Sequence, residues 1–118
     1  MRLEAGGIVL VDWRDALPLE ASKRGRPAVV VEDRGLFHED YPNVILVPLA
    51  EDPHLAIADL SVRIEPTPEN GCSKTCYALA HHVTATSKRR VMRDTGSCVT
   101  PDELERIRQL VALSVGVD

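Results

Sequence analysis

The feature of this sequence with the clearest chemical potential is an arginine placed where a strand is predicted to begin. Arg26 precedes Pro27, and residues 28–31 (Ala-Val-Val-Val) are typical of a buried strand. Because proline lacks an N–H and biases the preceding residue away from helix, the guanidinium is expected at the mouth of that strand, beside a loop over residues 18–25. A permanent planar cation there can bind a phosphate through paired hydrogen bonds.

Other basic residues fall into two groups that could follow a phosphate backbone. These groups are Lys23 and Arg24 beside Arg26, and Lys88, Arg89, Arg90 and Arg93. The net charge of the chain is −4, so a nucleic acid would have to be held by such local patches rather than by the whole molecule. The alternative is that each group is an ordinary solvated face.

Cysteines and histidines lie close together between residues 72 and 82. Cys72 and Cys76 precede the pair His81 and His82, and because this spacing is irregular for zinc we predict no metal site and no cofactor. A histidine can serve as an acid or a base near neutrality, or it can be a partly buried structural residue. On a strand the two imidazoles would point to opposite faces. Cys98 is predicted to be a packing residue.

Length and composition set the broad class of the protein. The 118 residues predict a single domain over residues 1–118, and 3% aromatic content leaves few platforms for stacking single-stranded bases. The charged segment 1–5 and the short apolar run 8–11 are not typical of a signal peptide, and no segment approaches a membrane span. We therefore expect a cytoplasmic protein with reduced thiols and no membrane partner.

The order of the predicted elements indicates an α+β fold that is mainly β. Apolar and alternating runs predict strands at residues 8–13, 28–32, 44–49, 60–65 and 77–85. Pro48 suggests that the third strand is an edge strand or ends there. The dipeptide Asn70-Gly71 predicts a hairpin between the fourth and fifth strands.

The last segment of the chain is typical of a helix at about 101–115. Thr100 is a good N-cap, Pro101 suits the first helical position, and Glu103 completes a capping box. Gly116 is a suitable residue just beyond the C-terminal end. We expect this helix to cap a curled antiparallel sheet.

Taken in order, these motifs resemble the MazF/PemK (Kid) family of toxin endoribonucleases over nearly the whole chain. The matching segments are residues 7–12, 24–30, 47–49, 70–71 with 77–80, and Gly96 with 101–104. The resemblance implies an SH3-like barrel, a homodimer, a cognate antitoxin and metal-independent cleavage of single-stranded RNA. In that family the ribose 2′-OH attacks the adjacent phosphate, which gives a cyclic phosphate and a 5′-hydroxyl.

The resemblance also implies roles for particular residues. Arg26 coincides with the family's catalytic arginine, Glu20 lies near its loop carboxylate, and His82 takes the place of its glutamine. These three residues are therefore the predicted catalytic set. The predicted RNA-binding residues are Lys23, Arg24, Lys88, Arg89 and Arg90.

One position departs from the family pattern. Ala50 stands where the family usually has threonine or serine, and Glu51 and Asp52 follow it. Alanine cannot donate to a phosphate, and carboxylates repel one unless a carboxylate works as the base. Two other functions therefore stay open. One is a CcdB-like toxin that binds DNA gyrase and cuts nothing, and the other is a decayed family member that binds only antitoxin or RNA.

Overall fold

The computed structural model describes residues 3–13 and 25–117, and within them the chain forms seven strands and one α-helix. The strands are β1 (Gly7–Val11), β2 (Arg26–Val30), β3 (Asn43–Ala50), β4 (Ser61–Ile64), β5 (Cys76–Leu79), β6 (Thr84–Ser87) and β7 (Val91–Cys98). The helix α1 is Pro101–Ser114. No helix in these two ranges is long and apolar enough to cross a membrane.

The strands form one antiparallel sheet in the order β4-β5-β3-β2-β1-β7. One edge of β3 pairs with β2, and its other edge pairs with β6 and then with β5. Among the described residues no pairing joins β4 to β7, so the sheet is not closed into a barrel. The predicted α+β, mainly β class with a C-terminal helix is confirmed, whereas the expected SH3-like barrel is an open sheet here.

The central strands bury side chains on both faces of the sheet. Ile8 and Val29 belong to one apolar cluster, which also contains Ile107 of α1. Val30 and Trp13 belong to a second cluster. Successive side chains of a strand point to opposite faces, so a strand covered on both sides appears in the sequence as a continuous apolar run. The strand that begins with Arg26 is therefore anchored in the core from Ala28 onwards.

Helix α1 begins with the capping box that the sequence predicts. The Thr100 hydroxyl accepts a hydrogen bond from the Glu103 N–H at 3.0 Å, and the Thr100 N–H donates to the Glu103 carboxylate at 2.9 Å. Both bonds satisfy backbone groups that a helix end would otherwise leave without a partner. The predicted helix is confirmed, with its C-terminal end one residue earlier than expected.

Thr100→Ala is expected to lower the free energy of unfolding by about 1 kcal/mol, because it removes the side-chain acceptor at the N-cap. The change is measured by urea denaturation. Glu105→Ala, at an exposed position of the same helix, is the control and should stay within about 0.5 kcal/mol of the parent. An unchanged midpoint for Thr100→Ala would contradict this role of the cap.

The prediction of a single strand over residues 77–85 is wrong, because a 3-10 turn at Ala80–His82 divides it into β5 and β6. The break has a counterpart in β3. β6 pairs with β3 up to Leu46, and β5 pairs with β3 at Leu49 and Ala50. The gap between these two pairings includes Pro48 of β3, which has no N–H to donate. Pro48 therefore lies in an interior strand, and the predicted edge or terminus is also wrong.

β7 is a strand that the sequence did not indicate. Its residues are mostly polar and exposed, and Gly96 interrupts the run. This pattern fits a strand at the edge of a sheet, which has one neighbour and one solvated side. Its neighbour is β1, with Leu10 opposite Arg93.

Candidate functional site

A cleft of about 460 Å³ opens where β1, β2, the end of β3 and β7 meet the loop between β4 and β5. Its apolar lining comes from Ile8, Leu10, Pro27 and Leu49, and its polar lining includes Asn70, Ser73, Thr95 and Ser97. Three cations line it, Arg26, Lys74 and Arg93. Glu51 is the one carboxylate among the described residues that line this cleft, so the lining carries an excess of positive charge.

Arg26 is the first residue of β2 and lies opposite Val11 of β1. Its side chain forms no hydrogen bond or ion pair with any residue in ranges 3–13 and 25–117. Arg26 therefore lines a concave surface from a fixed backbone, and its guanidinium donors are not used by any residue in those ranges.

Ala50 is the last residue of β3 and also lines the cleft. β2 and β3 pair with Ala28 opposite Pro48, and extending this register by two residues brings Ala50 opposite Arg26. The side chain at position 50 is therefore the cross-strand neighbour of Arg26. In this chain a methyl group occupies that place, and the Glu51 carboxylate comes directly after it.

The loop over residues 65–75 forms one wall of the cleft, and the buried side chain of Asn70 holds it together. The Asn70 carbonyl oxygen accepts hydrogen bonds from the N–H groups of Thr67, at 3.0 Å, and Cys72, at 2.9 Å. The Asn70 amide donates to the Glu65 carbonyl at 2.8 Å. The predicted hairpin between β4 and β5 is thus confirmed, but with a long folded loop in place of a tight turn.

Gly71 brings this loop against β7. Its φ is +66°, and a Cβ added there would lie 2.7 Å from the Ser97 hydroxyl oxygen. An L-residue is disfavoured in this left-handed conformation, and the contact is shorter than any that real side chains make. Glycine at position 71 therefore sets how closely the loop approaches the edge strand.

Gly71→Ala is expected to lower the free energy of unfolding by about 2 kcal/mol, from the left-handed backbone together with the contact on Ser97. Gly96→Ala is the matched control: Gly96 also has a positive φ, but nothing lies within 4 Å of an added Cβ. Gly96→Ala should lower the free energy of unfolding by less than Gly71→Ala does. Equal urea midpoints for the two variants would contradict the close approach of the loop to β7.

Two thiols lie together in the cleft wall. The Cys72 and Cys76 sulfur atoms are 3.5 Å apart, and both cysteines are free. Burial, and then the hydrogen bond with Cys72, raise the pKa of the Cys76 thiol to about 12. No group of three or more histidine, cysteine, aspartate or glutamate residues within the described ranges is arranged to hold a metal ion.

His82 is not among the residues that line the cleft, and it lies in the 3-10 turn that packs against α1. Its ring meets the His81 ring edge-on, with the ring centroids 4.4 Å apart. The prediction that the two rings point to opposite faces is wrong, because these residues are in a turn and not in a strand. Burial, and then the charge of His81, lower the pKa of His82, which favours its neutral form.

Arg93 is the one member of the second basic group that lines the cleft, and the other three described residues of that group lie outside the lining. Lys88, Arg89 and Arg90 form a 3-10 turn after β6. The Lys88 ammonium donates to the Glu39 carbonyl at 2.8 Å, and the Arg90 guanidinium donates to the Asp12 carbonyl at 3.3 Å. Glu20, Lys23 and Arg24 lie outside the described residues. The prediction that Cys98 is a packing residue is wrong, since its side chain is exposed on β7.

Sequence reasoning assigned no site role to the cleft residues on two segments whose fold it did not resolve, although it placed Arg93 in the second basic group. Lys74 and Ser73 belong to the long loop before β5, and Arg93, Thr95 and Ser97 belong to β7. The signal for the second set was present, because polar side chains at every other position share one face of a strand.

Comparison with known proteins identifies a matching family. A model of the PemK-like, MazF-like toxins of type II toxin-antitoxin systems matches residues 4–115. A search of curated protein sequences finds no significant match.

Solved structures share the fold at low sequence identity. MazF from Deinococcus radiodurans superposes with a TM-score of 0.78 at 19% identity, over 99% of both chains. An endoribonuclease in complex with its cognate antitoxin, from a mycobacterial species, gives 0.74 at 17% identity, over 99% of this chain and 98% of that one. The toxin MazF-mt6 from Mycobacterium tuberculosis gives 0.70 at 11% identity, over 95% and 98%.

These likenesses agree on the fold, and the family model spans both the strand that begins at Arg26 and the closing helix α1. The chain therefore belongs to the family of PemK-like, MazF-like toxins of type II toxin-antitoxin systems.

Proposed function

We propose that this chain is an endoribonuclease toxin that cuts single-stranded RNA without a metal ion. Family membership supports this class of activity. The observation that carries the proposal is a cleft whose lining, over residues 3–13 and 25–117, holds Arg26, Lys74 and Arg93 with one carboxylate, Glu51. An excess of cations in a concave site favours a phosphate backbone, even on a chain whose net charge is −4.

In the proposed reaction the ribose 2′-oxygen attacks the adjacent phosphorus and the 5′-oxygen of the next nucleotide leaves. Arg26 donates paired hydrogen bonds to the phosphate oxygens, on which negative charge increases in the transition state. Glu51 accepts the proton of the 2′-OH, and the leaving oxygen takes a proton from water or from Glu20. The products are a cyclic phosphate and a 5′-hydroxyl.

We assign the base to Glu51 rather than to His82 because Glu51 shares the cleft with Arg26 and His82 does not. A general base has to reach the proton that it removes, so geometry takes precedence over residue type. Lys74 and Arg93 are proposed to hold the phosphates that flank the scissile bond. Phosphates further along the strand are assigned to Lys23 and Arg24 and to the basic turn Lys88–Arg90.

A cognate antitoxin and a second copy of this chain are the proposed protein partners. Fold relatives include a mycobacterial endoribonuclease in complex with its cognate antitoxin and MazE-MazF from Deinococcus radiodurans. An antitoxin that closes the cleft would have to present acidic groups to its cations. Sedimentation of the purified chain measures the homodimer that the family resemblance implies.

The test of the proposed function is to incubate the purified protein with a long unstructured RNA in EDTA and to map the ends of the fragments. Cuts at a short motif that leave cyclic phosphates and 5′-hydroxyls are the expected result. Intact RNA together with co-purification of DNA gyrase would support a gyrase-binding toxin instead. Intact RNA without gyrase would support a decayed member that binds without cutting.

Ala50→Ser is expected to raise the cleavage rate about tenfold, because it adds a hydroxyl that can donate to the phosphate beside Arg26. Serine adds a single oxygen to a side chain that already lines the cleft. Single-turnover cleavage of the mapped motif measures the rate. Ser73→Ala, which removes a hydroxyl from the opposite loop of the same cleft, is the comparison. A rate unchanged or lowered by Ala50→Ser would show that the site does not use this position.

A further inference from the structure

We propose that Cys72 and Cys76 form a dithiol site that low-molecular-weight disulfides oxidise to an intramolecular disulfide, and that this bond suppresses RNA cleavage in the adjoining cleft. Formation of the disulfide depends on the two sulfur atoms alone. Suppression of cleavage rests on the proposed function, because it needs a cleft that processes RNA.

The geometry of the pair favours bond formation. The two sulfur atoms are 3.5 Å apart, and a disulfide needs about 2 Å, so the sulfurs have to approach by roughly 1.5 Å. Cys76 belongs to β5 and is buried, whereas Cys72 is partly exposed on the loop. The movement therefore falls to the loop residue, while the strand residue stays in place.

The two thiols differ in accessibility in the way that a two-step exchange requires. Cys72 lines the cleft and is open to a small molecule, so it is the attacking group. Burial and the bond to Cys72 raise the pKa of Cys76 to about 12, so Cys76 enters the reaction as the resolving thiol, after Cys72 has reacted. Proximity compensates for its low thiolate fraction.

The Cys72 thiolate attacks one sulfur of a small disulfide, which forms a mixed disulfide and expels one small thiolate. The Cys76 thiol then loses its proton and attacks the Cys72 sulfur, which expels the second small thiolate. The protein loses two hydrogen atoms as two electrons and two protons, and the small disulfide is reduced to two thiols.

The Cys72–Cys76 disulfide would change the cleft by moving the residues between the two cysteines. Ser73 and Lys74 line the cleft, and the hydroxyl of Thr75 donates to the Glu65 carboxylate at 2.9 Å. Drawing Cys72 toward Cys76 tightens this short ring and displaces Lys74 relative to Arg26. A misplacement of about 1 Å in a positioned group can reduce a rate by up to about 10²-fold, so we expect a loss of about tenfold on oxidation.

The experiment uses oxidised glutathione as the oxidant, intact mass and peptide mapping as the first measurement, and RNA cleavage as the second. Cys98→Ser is the matched control, because Cys98 is an exposed thiol outside this cleft. The parent and Cys98→Ser should both form a Cys72–Cys76 bond and lose cleavage about tenfold, reversibly with dithiothreitol. Cys76→Ser should retain glutathione on Cys72, and cleavage by Cys72→Ser should not respond to the oxidant.

The outcomes distinguish a failure of the dithiol site from a failure of the proposed RNA cleavage. Glutathione that stays on Cys72 or Cys98 of the folded parent, with no 72–76 bond, would overturn the dithiol site. A complete 72–76 bond with unchanged cleavage would overturn the control of the cleft. If the reduced parent does not cut RNA, the proposed function and the control of cleavage both fail, and peptide mapping still decides the dithiol site.

Discussion

Arg26→Ala is expected to reduce single-turnover cleavage of the mapped RNA motif about 10³-fold, while the protein stays folded. Arg26 lines the cleft and its guanidinium has no partner among the described residues, so in the proposed reaction its removal leaves the developing charge on the phosphate without this donor. A loss of this size corresponds to about 4 kcal/mol of transition-state stabilisation. Arg26 is the first residue of its strand and belongs to neither apolar cluster. The urea midpoint of Arg26→Ala should therefore differ little from that of the parent.

Two further variants distinguish the guanidinium from a simple positive charge. Arg26→Lys keeps the charge but cannot form the paired hydrogen bonds, so it should recover part of the lost rate. Arg106→Ala removes the same charge from the exposed surface of α1, where the guanidinium contacts Gln109, and should leave the rate within about twofold. Equal losses for Arg26→Ala and Arg106→Ala would mean that net charge, and not the cleft arginine, determines the activity.

Glu51→Gln is expected to reduce cleavage about 10²-fold, because the amide keeps the shape of the side chain but cannot accept the 2′-OH proton. If Glu51 only repelled the phosphate, the same substitution would raise RNA affinity and leave or increase the rate. Measurement of both the single-turnover rate and the dissociation constant separates these effects. A lower rate with equal or tighter RNA binding is the predicted combination.

Asp52→Asn is the matched control for this substitution. It removes the same charge one residue further along, at a carboxylate that accepts a hydrogen bond from the His54 N–H at 2.9 Å and does not line the cleft. Asparagine can still accept that bond. A rate that falls equally in Asp52→Asn and Glu51→Gln would contradict a specific role of Glu51 as the base.

The parts of the fold that local patterns determine could be predicted from the sequence. The capping box at Thr100 and the apolar runs of β2 and β3 identify their elements because each depends on neighbouring residues. The division at Ala80–His82 could not be predicted in this way. It depends on which part of β3 each half of the run pairs with, and that is a contact between distant segments.

The same distinction between local patterns and long-range contacts applies to the candidate site. Arg26 could be singled out because proline fixes the start of its strand, and the structure brings it into a cleft. The place of Lys74 and Arg93 in the cleft could not be predicted, because it depends on the loop that Asn70 holds and on an edge strand of low apolar content. His82 is predicted as a catalytic residue because it takes the place of the family's glutamine, but the turn at Ala80–His82 leaves it outside the cleft lining.

The most direct test of the central claim is a crystal structure of the protein with the mapped RNA motif, carrying a single 2′-deoxy substitution at the cut site so that the attacking hydroxyl is absent. We predict that the scissile phosphate lies within hydrogen-bond distance of the Arg26 guanidinium, with the Glu51 carboxylate facing the substituted ribose carbon. A scissile phosphate bound at the Lys88–Arg90 turn, with the cleft unoccupied by RNA, would contradict the account.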